Sequence, residues 1–243
     1  EICACLVGSE MCIRDRVTIN KTIRIIAIYV NEAIKKEIIK ESPIKYLKLR
    51  GAEETTAEAL EEQELKELVS IYHKHIFTGT THDVLEFFLF MCFSSLHISD
   101  ARSLQIDQIG KDEFWYMRGK MINIRPRVVR VPISEPLRQI INHKRKNRKS
   151  GVLWDDMIAD QKVNEKLKQI ASVAGIKKEL SAKFGRHTFA TIFLRRTRDI
   201  NTLKDIMGHS NIKQTLVYAH VLDQDRQLGI KVFDSFYEEK DHK

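Results

Sequence analysis

Residues 84–93 read Val-Leu-Glu-Phe-Phe-Leu-Phe-Met-Cys-Phe, apolar nearly all round. A helix of this composition has no side to show to water, so it must lie at the centre with other elements wrapped about it. The chain has 243 residues, enough for one sizeable core and a small appendage. Hydrophobic residues make up 43% and charged residues 30%, the balance of a soluble globular chain. No apolar run reaches the length needed to span a bilayer.

Around that segment the pattern is mostly helical. Leu65, Leu68, Val69 and Tyr72 form one stripe upstream. Downstream, helices are expected over residues 135–146, 162–174, 186–195, 202–207 and 212–217, with a tail helix from Asp223. Two short β-branched or aromatic runs, 113–118 and 128–132, interrupt them. These predict a β-hairpin, or a three-stranded sheet if residues 104–109 join it. The fold class is mainly α with a small antiparallel β-sheet (α+β).

The front of the chain has a different texture. It starts with Glu1, and residues 1–16 match nothing else in pattern or composition. Residues 9–16, Ser-Glu-Met-Cys-Ile-Arg-Asp-Arg, resemble translated sequencing-adapter read-through, with a short natural extension as the alternative. The segment is set aside from fold reasoning as a non-native leader. Residues 17–39 read as an amphipathic helix. Ile23, Ile26, Ala27, Val30, Ala33, Ile34 and Ile38 fall near i, i+3, i+4, i+7 spacing, and Ser42-Pro43 is the expected stop. Residues 45–56 are polar, carry Gly51 and read as a linker. One amphipathic helix cannot bury its own apolar face.

The net charge of +8 favours a polyanionic partner through phosphate neutralisation and counterion release, although many basic proteins bind no nucleic acid. Cys3, Cys5 and Cys12 cluster at the start and Cys92 sits in the apolar helix, which is no disulfide framework and points to a reducing compartment. His73-Lys74-His75 lacks carboxylate or cysteine partners and reads as a solvated face, so no metal is expected there.

Two motifs near the C-terminus carry chemistry. The pair Gly208-His209 precedes Tyr218 by nine residues, from 209 to 218. Upstream lies Gly185-Arg186-His187-Thr188-Phe189-Ala190-Thr191. In this order the two resemble the C-terminal signature of the tyrosine recombinases, the phage-integrase family, over roughly residues 60–237. The resemblance implies a catalytic domain over residues 51–243, and it makes residues 17–50 a remnant of a helical core-binding domain with the start of the linker. It also implies site-specific recombination of double-stranded DNA, as by the integrase of a mobile element. The partners implied are DNA and three further copies of the chain, a homotetramer joined through the tail at 223–237. The location implied is the bacterial cytoplasm, at the nucleoid when DNA-bound, with no membrane, metal or other cofactor.

Cutting a phosphodiester through a covalent intermediate needs an oxygen nucleophile, cations around the transition state, a proton donor for the leaving 5′ oxygen and a rigid frame. The resemblance assigns Tyr218 as nucleophile and Arg186 as the second catalytic arginine, whose planar fork holds two phosphate oxygens. His209 matches the position that hydrogen-bonds a nonbridging oxygen. Lys183 stands three residues before Arg186, where the family usually has histidine. Lys120 matches the hairpin lysine that serves as general acid, with Arg118, Arg125 and Arg127 beside it as DNA-binding residues. His187 is expected to be structural. Each assignment has a plainer counterpart: a half-buried tyrosine, a helix-end histidine next to a turn glycine, a solvated lysine, a basic turn that only holds backbone.

One box departs from the pattern. Residues 93–104, Phe-Ser-Ser-Leu-His-Ile-Ser-Asp-Ala-Arg-Ser-Leu, resemble the family's first box with His97 at the arginine position and Asp100 as the acid that braces the site. Loss of one phosphate clamp costs on the order of 3–4 kcal/mol of transition-state stabilisation. Three readings stay open: His97 as a protonated substitute, a hairpin arginine in its place, or a degenerate copy that binds DNA without cutting it.

Overall fold

The structure, a computed structural model, describes residues 9–46, 58–118 and 128–219, with side chains described from Thr18 onward. The chain divides into two compact units, Glu1–Thr55 and Thr56–Lys243.

The first unit carries helix α1, Ser9–Lys35. It begins inside the stretch set aside as a leader and ends before Ile39. Its stop is a backbone cap, not Pro43. Glu37 adopts φ 58, and the Ile38 and Glu37 N–H groups donate to the Ala33 and Ile34 carbonyls at 2.9 and 3.0 Å. This is the pattern that closes a helix with one left-handed residue. Ile25, Ile26, Ile28 and Tyr29 are exposed on α1. Most of the expected linker lies outside the described residues.

The second unit is built round α3, Gly79–Ser94, in which every side chain from Val84 to Cys92 is buried. Helices α2 (Glu62–His73), α5 (Glu135–Arg145), α6 (Asp160–Val173) and α7 (Ala182–Thr197) pack against it. Trp154 fills the space beside Phe87 and Phe90, with ring centroids 5.0 and 5.4 Å away. The most extensive helix–helix contact is between α3 and α7. A Cβ on Gly185 would stand 2.8 Å from Met91 Cβ, so glycine is what lets these two helices touch.

Strands β1 (Glu113–Met117) and β2 (Val128–Pro132) pair antiparallel, Glu113 opposite Pro132 and Met117 opposite Val128. Phe114, Tyr116, Val129 and Val131 point inward on alternate positions. Residues 104–109 do not form the third strand. Gln105 and Gln108 cap each other, the Gln105 N–H donating to Gln108 Oε1 at 2.8 Å, and this closes a 3₁₀ turn at Ile106–Gln108. Only single bridges remain, Gln105 with Val152 and Ile109 with Phe114. Short helices α4 (Ile98–Ser103), α8 (Ile200–Ile206) and α9 (Lys213–Leu216) complete the described part. The hairpin tip, residues 119–127, and the tail from Asp223 lie outside it.

Candidate active site

Arg186 sits on α7, and α7 is fixed at its start from a neighbouring helix. The Ala182 N–H donates to Asn164 Oδ1 on α6 at 2.9 Å, which satisfies one of the N–H groups a helix start leaves open. Arg186 is buried. Its Nη1 donates to the Ser95 carbonyl at 2.6 Å and its Nη2 to the Met207 carbonyl at 2.7 Å. Ser95 and Met207 are the C-caps of α3 and α8. Helix C-termini present unpaired carbonyls and partial negative charge, so a guanidinium between two of them is held by both. Burial pulls the Arg186 guanidinium below its ordinary value.

His209 is placed by the end of α8. Gly208 takes φ 64, and the His209 and Gly208 N–H groups donate to the Lys204 and Asp205 carbonyls, each at 3.0 Å. This left-handed closure requires glycine at 208. A Cβ there would lie 2.5 Å from Val129 Cγ2, so β2 rests directly on the turn. At the end of β1, Arg118 Nη1 donates to the Gly208 carbonyl at 2.9 Å. His209 Nε2 lies 3.0 Å from Arg186 Nη2, and its Nδ1 lies 2.8 Å from Thr215 Oγ1. Arginine has only donors, so Nε2 accepts and the ring proton sits on Nδ1. Burial and the Arg186 charge push the imidazole down to about 3. To donate to a phosphate oxygen from Nε2, the ring must change tautomer.

Tyr218 follows α9. Its ring is buried in a small cluster with Ala190, Leu194, Leu203 and Met207. Its hydroxyl lies 2.7 Å from His187 Nδ1. Burial pushes the phenol up to about 12, against the pull of Arg186. Arg186 and His187 are adjacent on α7, so they project about 100° apart. One reaches the ends of α3 and α8, and the other meets the tyrosine. Burial, with Lys183 and Arg186 adding to it, pushes the His187 imidazole down to about 4.

These side chains open on one cleft of about 440 Å³, whose wall includes His97, Arg118, Lys183, Arg186, His209 and Tyr218. Of the site residues expected from the sequence and described in the structure, all but Asp100 line this cleft, with Lys183 exposed at the rim. His97 is half-buried and caps α4, its Nδ1 3.5 Å from the Ser99 N–H and 3.2 Å from Ser99 Oγ. Asp100 is buried in α4, near enough to Tyr116 to help raise that phenol. Lys120, Arg125 and Arg127 lie outside the described residues. The first turn of α7, with its positive dipole end and two cations, is chemistry that suits an anion. Among the described residues no cluster of His, Cys, Asp or Glu is arranged to hold a metal ion, and no helix is long and apolar enough to cross a membrane. A second groove, about 460 Å³, is apolar and runs past Phe93, Val131, Phe189 and Phe193, away from these groups.

Two contributors were missed in the sequence, and a third, His187, was expected only to be structural. Thr215 orients His209, Asn164 anchors α7, and His187 touches the tyrosine. His187 had a signal, since it adjoins Arg186 in the motif. The other two are unremarkable residues until the fold brings them in.

A mainly helical domain with a two-stranded sheet, and a cleft in which a tyrosine, an arginine and histidines converge, is the architecture of a tyrosine recombinase catalytic domain. The sequence profile of the phage integrase family matches residues 58–225, and the chain belongs to that family. Over 74 residues it is 39% identical to an integrase/recombinase of Escherichia coli, covering 30% of this chain and 22% of that protein. Over 89 residues it is 38% identical to the tyrosine recombinase XerA of Saccharolobus solfataricus, covering 35% and 30%. The matched stretches thus span less than a third of either relative. Among solved structures, the catalytic domain of bacteriophage HP1 integrase is similar over 75% of this chain and 98% of that one, with a TM-score of 0.53 and 23% identity. The Tn1549 transposon integrase, solved with circular intermediate DNA, is similar over 88% and 78%, with a TM-score of 0.63 and 17% identity. These likenesses show the fold.

Proposed function

We propose that this chain is a site-specific DNA recombinase that cuts and rejoins double-stranded DNA through a 3′-phosphotyrosyl intermediate. The observation that carries this reading is the convergence of Tyr218, Arg186, His209, Lys183 and His97 on one cleft at the start of α7. In the reaction, the Tyr218 oxygen forms a bond to the scissile phosphorus and the bond to the 5′ oxygen breaks. Arg186, His209, Lys183 and His97 offset the charge on the phosphoryl oxygens. Lys120 gives a proton to the leaving 5′ oxygen. The phosphotyrosyl ester conserves the bond energy, so the free 5′ hydroxyl of another strand can reverse the step without nucleotide or metal. Residues 51–243 act as the catalytic domain and residues 17–50 belong to a helical segment that helps hold DNA. The kinship with phage and transposon integrases favours a mobile element, and the family's assembly favours a homotetramer joined through the tail.

The test is a suicide substrate, a nicked duplex that loses a short fragment on cleavage and traps the protein. Tyr218→Phe removes one oxygen and little packing, so it should abolish the covalent adduct and leave binding nearly intact. An adduct that survives in this variant means another nucleophile. A second reading, a degenerate DNA-binding protein, has one observation in its favour: His97 stands where the family's first box has arginine. It predicts that even the parent chain shifts the duplex without trapping on it.

A further inference from the structure

The recombinase reading leaves one contact unused, the 2.7 Å approach of His187 Nδ1 to the Tyr218 hydroxyl. Resting on that reading, we propose that His187 is a catalytic residue, the general base that takes the nucleophile's proton during cleavage and returns it during rejoining.

Three features support it. The first is geometric. The distance is within the range for proton transfer, and the two rings are fixed from both sides, Tyr218 by the Ala190, Leu194, Leu203 and Met207 cluster and His187 by its helix. The second is the protonation state. Burial holds the imidazole neutral at ordinary pH, so Nδ1 can accept the phenol's hydrogen bond. The third is charge. The groups facing His187 are Tyr218, Lys183, Arg186 and His97, three of them cationic or able to become so. Before a phosphate binds, they disfavour an imidazolium. A bound phosphate offsets them, and the imidazolium formed in the step then sits beside the charge building on phosphorus.

The phenol, pushed up to about 12, does not ionise against this base while the cleft lacks phosphate. The proton moves as the new bond forms. The Tyr218 O–H bond breaks, its proton goes to Nδ1, the oxygen joins phosphorus, and the P–O5′ bond breaks with a proton supplied to O5′ from the hairpin. In rejoining, the imidazolium gives the proton back to the departing tyrosine oxygen. The nucleophile is thereby kept silent until a phosphate is seated.

The full chain would be assayed for single-turnover cleavage of the suicide substrate across a pH series. The variant is His187→Asn, whose side-chain amide can occupy the Nδ1 position and hydrogen-bond but cannot take a proton. Cleavage should slow by about 100-fold or more, with DNA affinity unchanged. The acid limb of the parent's pH–rate profile should vanish. A fluorinated tyrosine of lower phenol pKa placed at 218 should restore most of the loss in the variant and change the parent little. If His187→Asn cleaves within a few-fold of the parent, or if it is slow but the fluorinated tyrosine restores nothing, His187 only holds the ring and the proposal falls. If the parent itself forms no adduct, the recombinase reading fails first and the base goes with it. Should the Asn variant not fold, His187→Gln carries the same comparison.

Discussion

His97 is the residue on which clamping turns. It lines the cleft with Arg186 and Tyr218, yet its Nδ1 faces the first turn of α4. An imidazole clamps phosphate only as a cation or through its remaining N–H, whereas arginine does so at every pH and with a planar fork. His97→Arg should therefore keep or raise the cleavage rate and flatten its fall toward alkaline pH. His97→Ala should cut the rate by about 100-fold, the scale of one lost donor at a developing oxyanion. Single-turnover rates across pH would measure this. Equal cleavage by the Ala variant and the parent makes His97 a bystander and moves the missing clamp to Arg118 or to the hairpin arginines. At this scale the sequence was most legible in which residues would share one cleft, as with Tyr218, Arg186 and Lys183. It was least legible where a backbone atom does the work. Nothing in the string Phe93-Ser94-Ser95 announces that the Ser95 carbonyl receives Arg186, because that depends on Ser95 taking φ 61 at the end of α3.

Two glycines set how the elements meet, and they give opposite lessons to helix propensity. Alanine is the better helix former by about 1 kcal/mol, so Gly185→Ala on an exposed helix would stabilise. Here the new Cβ meets Met91 Cβ at 2.8 Å, in the tightest part of the α3–α7 contact. Overpacking costs about 1–3 kcal/mol and outweighs propensity, so Gly185→Ala should lower the midpoint of denaturant unfolding. An unchanged or higher midpoint would mean that α7 slides freely on α3. Gly208→Ala combines left-handed strain with a 2.5 Å approach to Val129 Cγ2. It should displace His209 and the Arg118 contact together, with cleavage lost by far more than DNA affinity. The central helix was plain in the sequence because a segment apolar all round has one possible place. The sheet was plain in its two runs but not in its edge. Residues 104–109 carry apolar Leu104, Ile106 and Ile109, but the mutual capping of Gln105 and Gln108 closes Ile106–Gln108 into a 3₁₀ turn. The end of α1 was misplaced for a related reason: Glu37 in a left-handed conformation stops the helix before Pro43 can.

At the scale of the whole molecule, two histidines, His209 buried and His187 half-buried, tie folding to pH. His187 and His209 are pushed down to about 4 and about 3, below the value of about 6.5 for an unfolded imidazole. Above that value both rings are neutral in both states and contribute no pH dependence. As pH falls below it, the unfolded chain binds protons that the folded chain refuses. Stability therefore drops as pH falls and levels off once the folded rings also protonate. The slope is at most about 1.4 kcal/mol per pH unit for each histidine, and less for His187, whose ring solvent partly reaches. Carboxylates held low by their arginine or lysine partners, Glu61, Glu62 and Asp156, act in the same direction but only as pH falls below about 4, the ordinary carboxylate value. The interval from pH 6.5 to 4.5 thus isolates the histidines. Thermal melts at pH 7 and pH 4.5 should show the parent losing stability, and His187→Asn and His209→Asn each losing less over the same interval. His209→Asn should show the larger relief, since His209 is buried whereas solvent partly reaches the His187 ring. If both variants lose as much as the parent, the folded rings take up protons at ordinary pH. The neutral imidazole at His187 would then lack support, and with it the means of holding the Tyr218 proton until phosphate arrives.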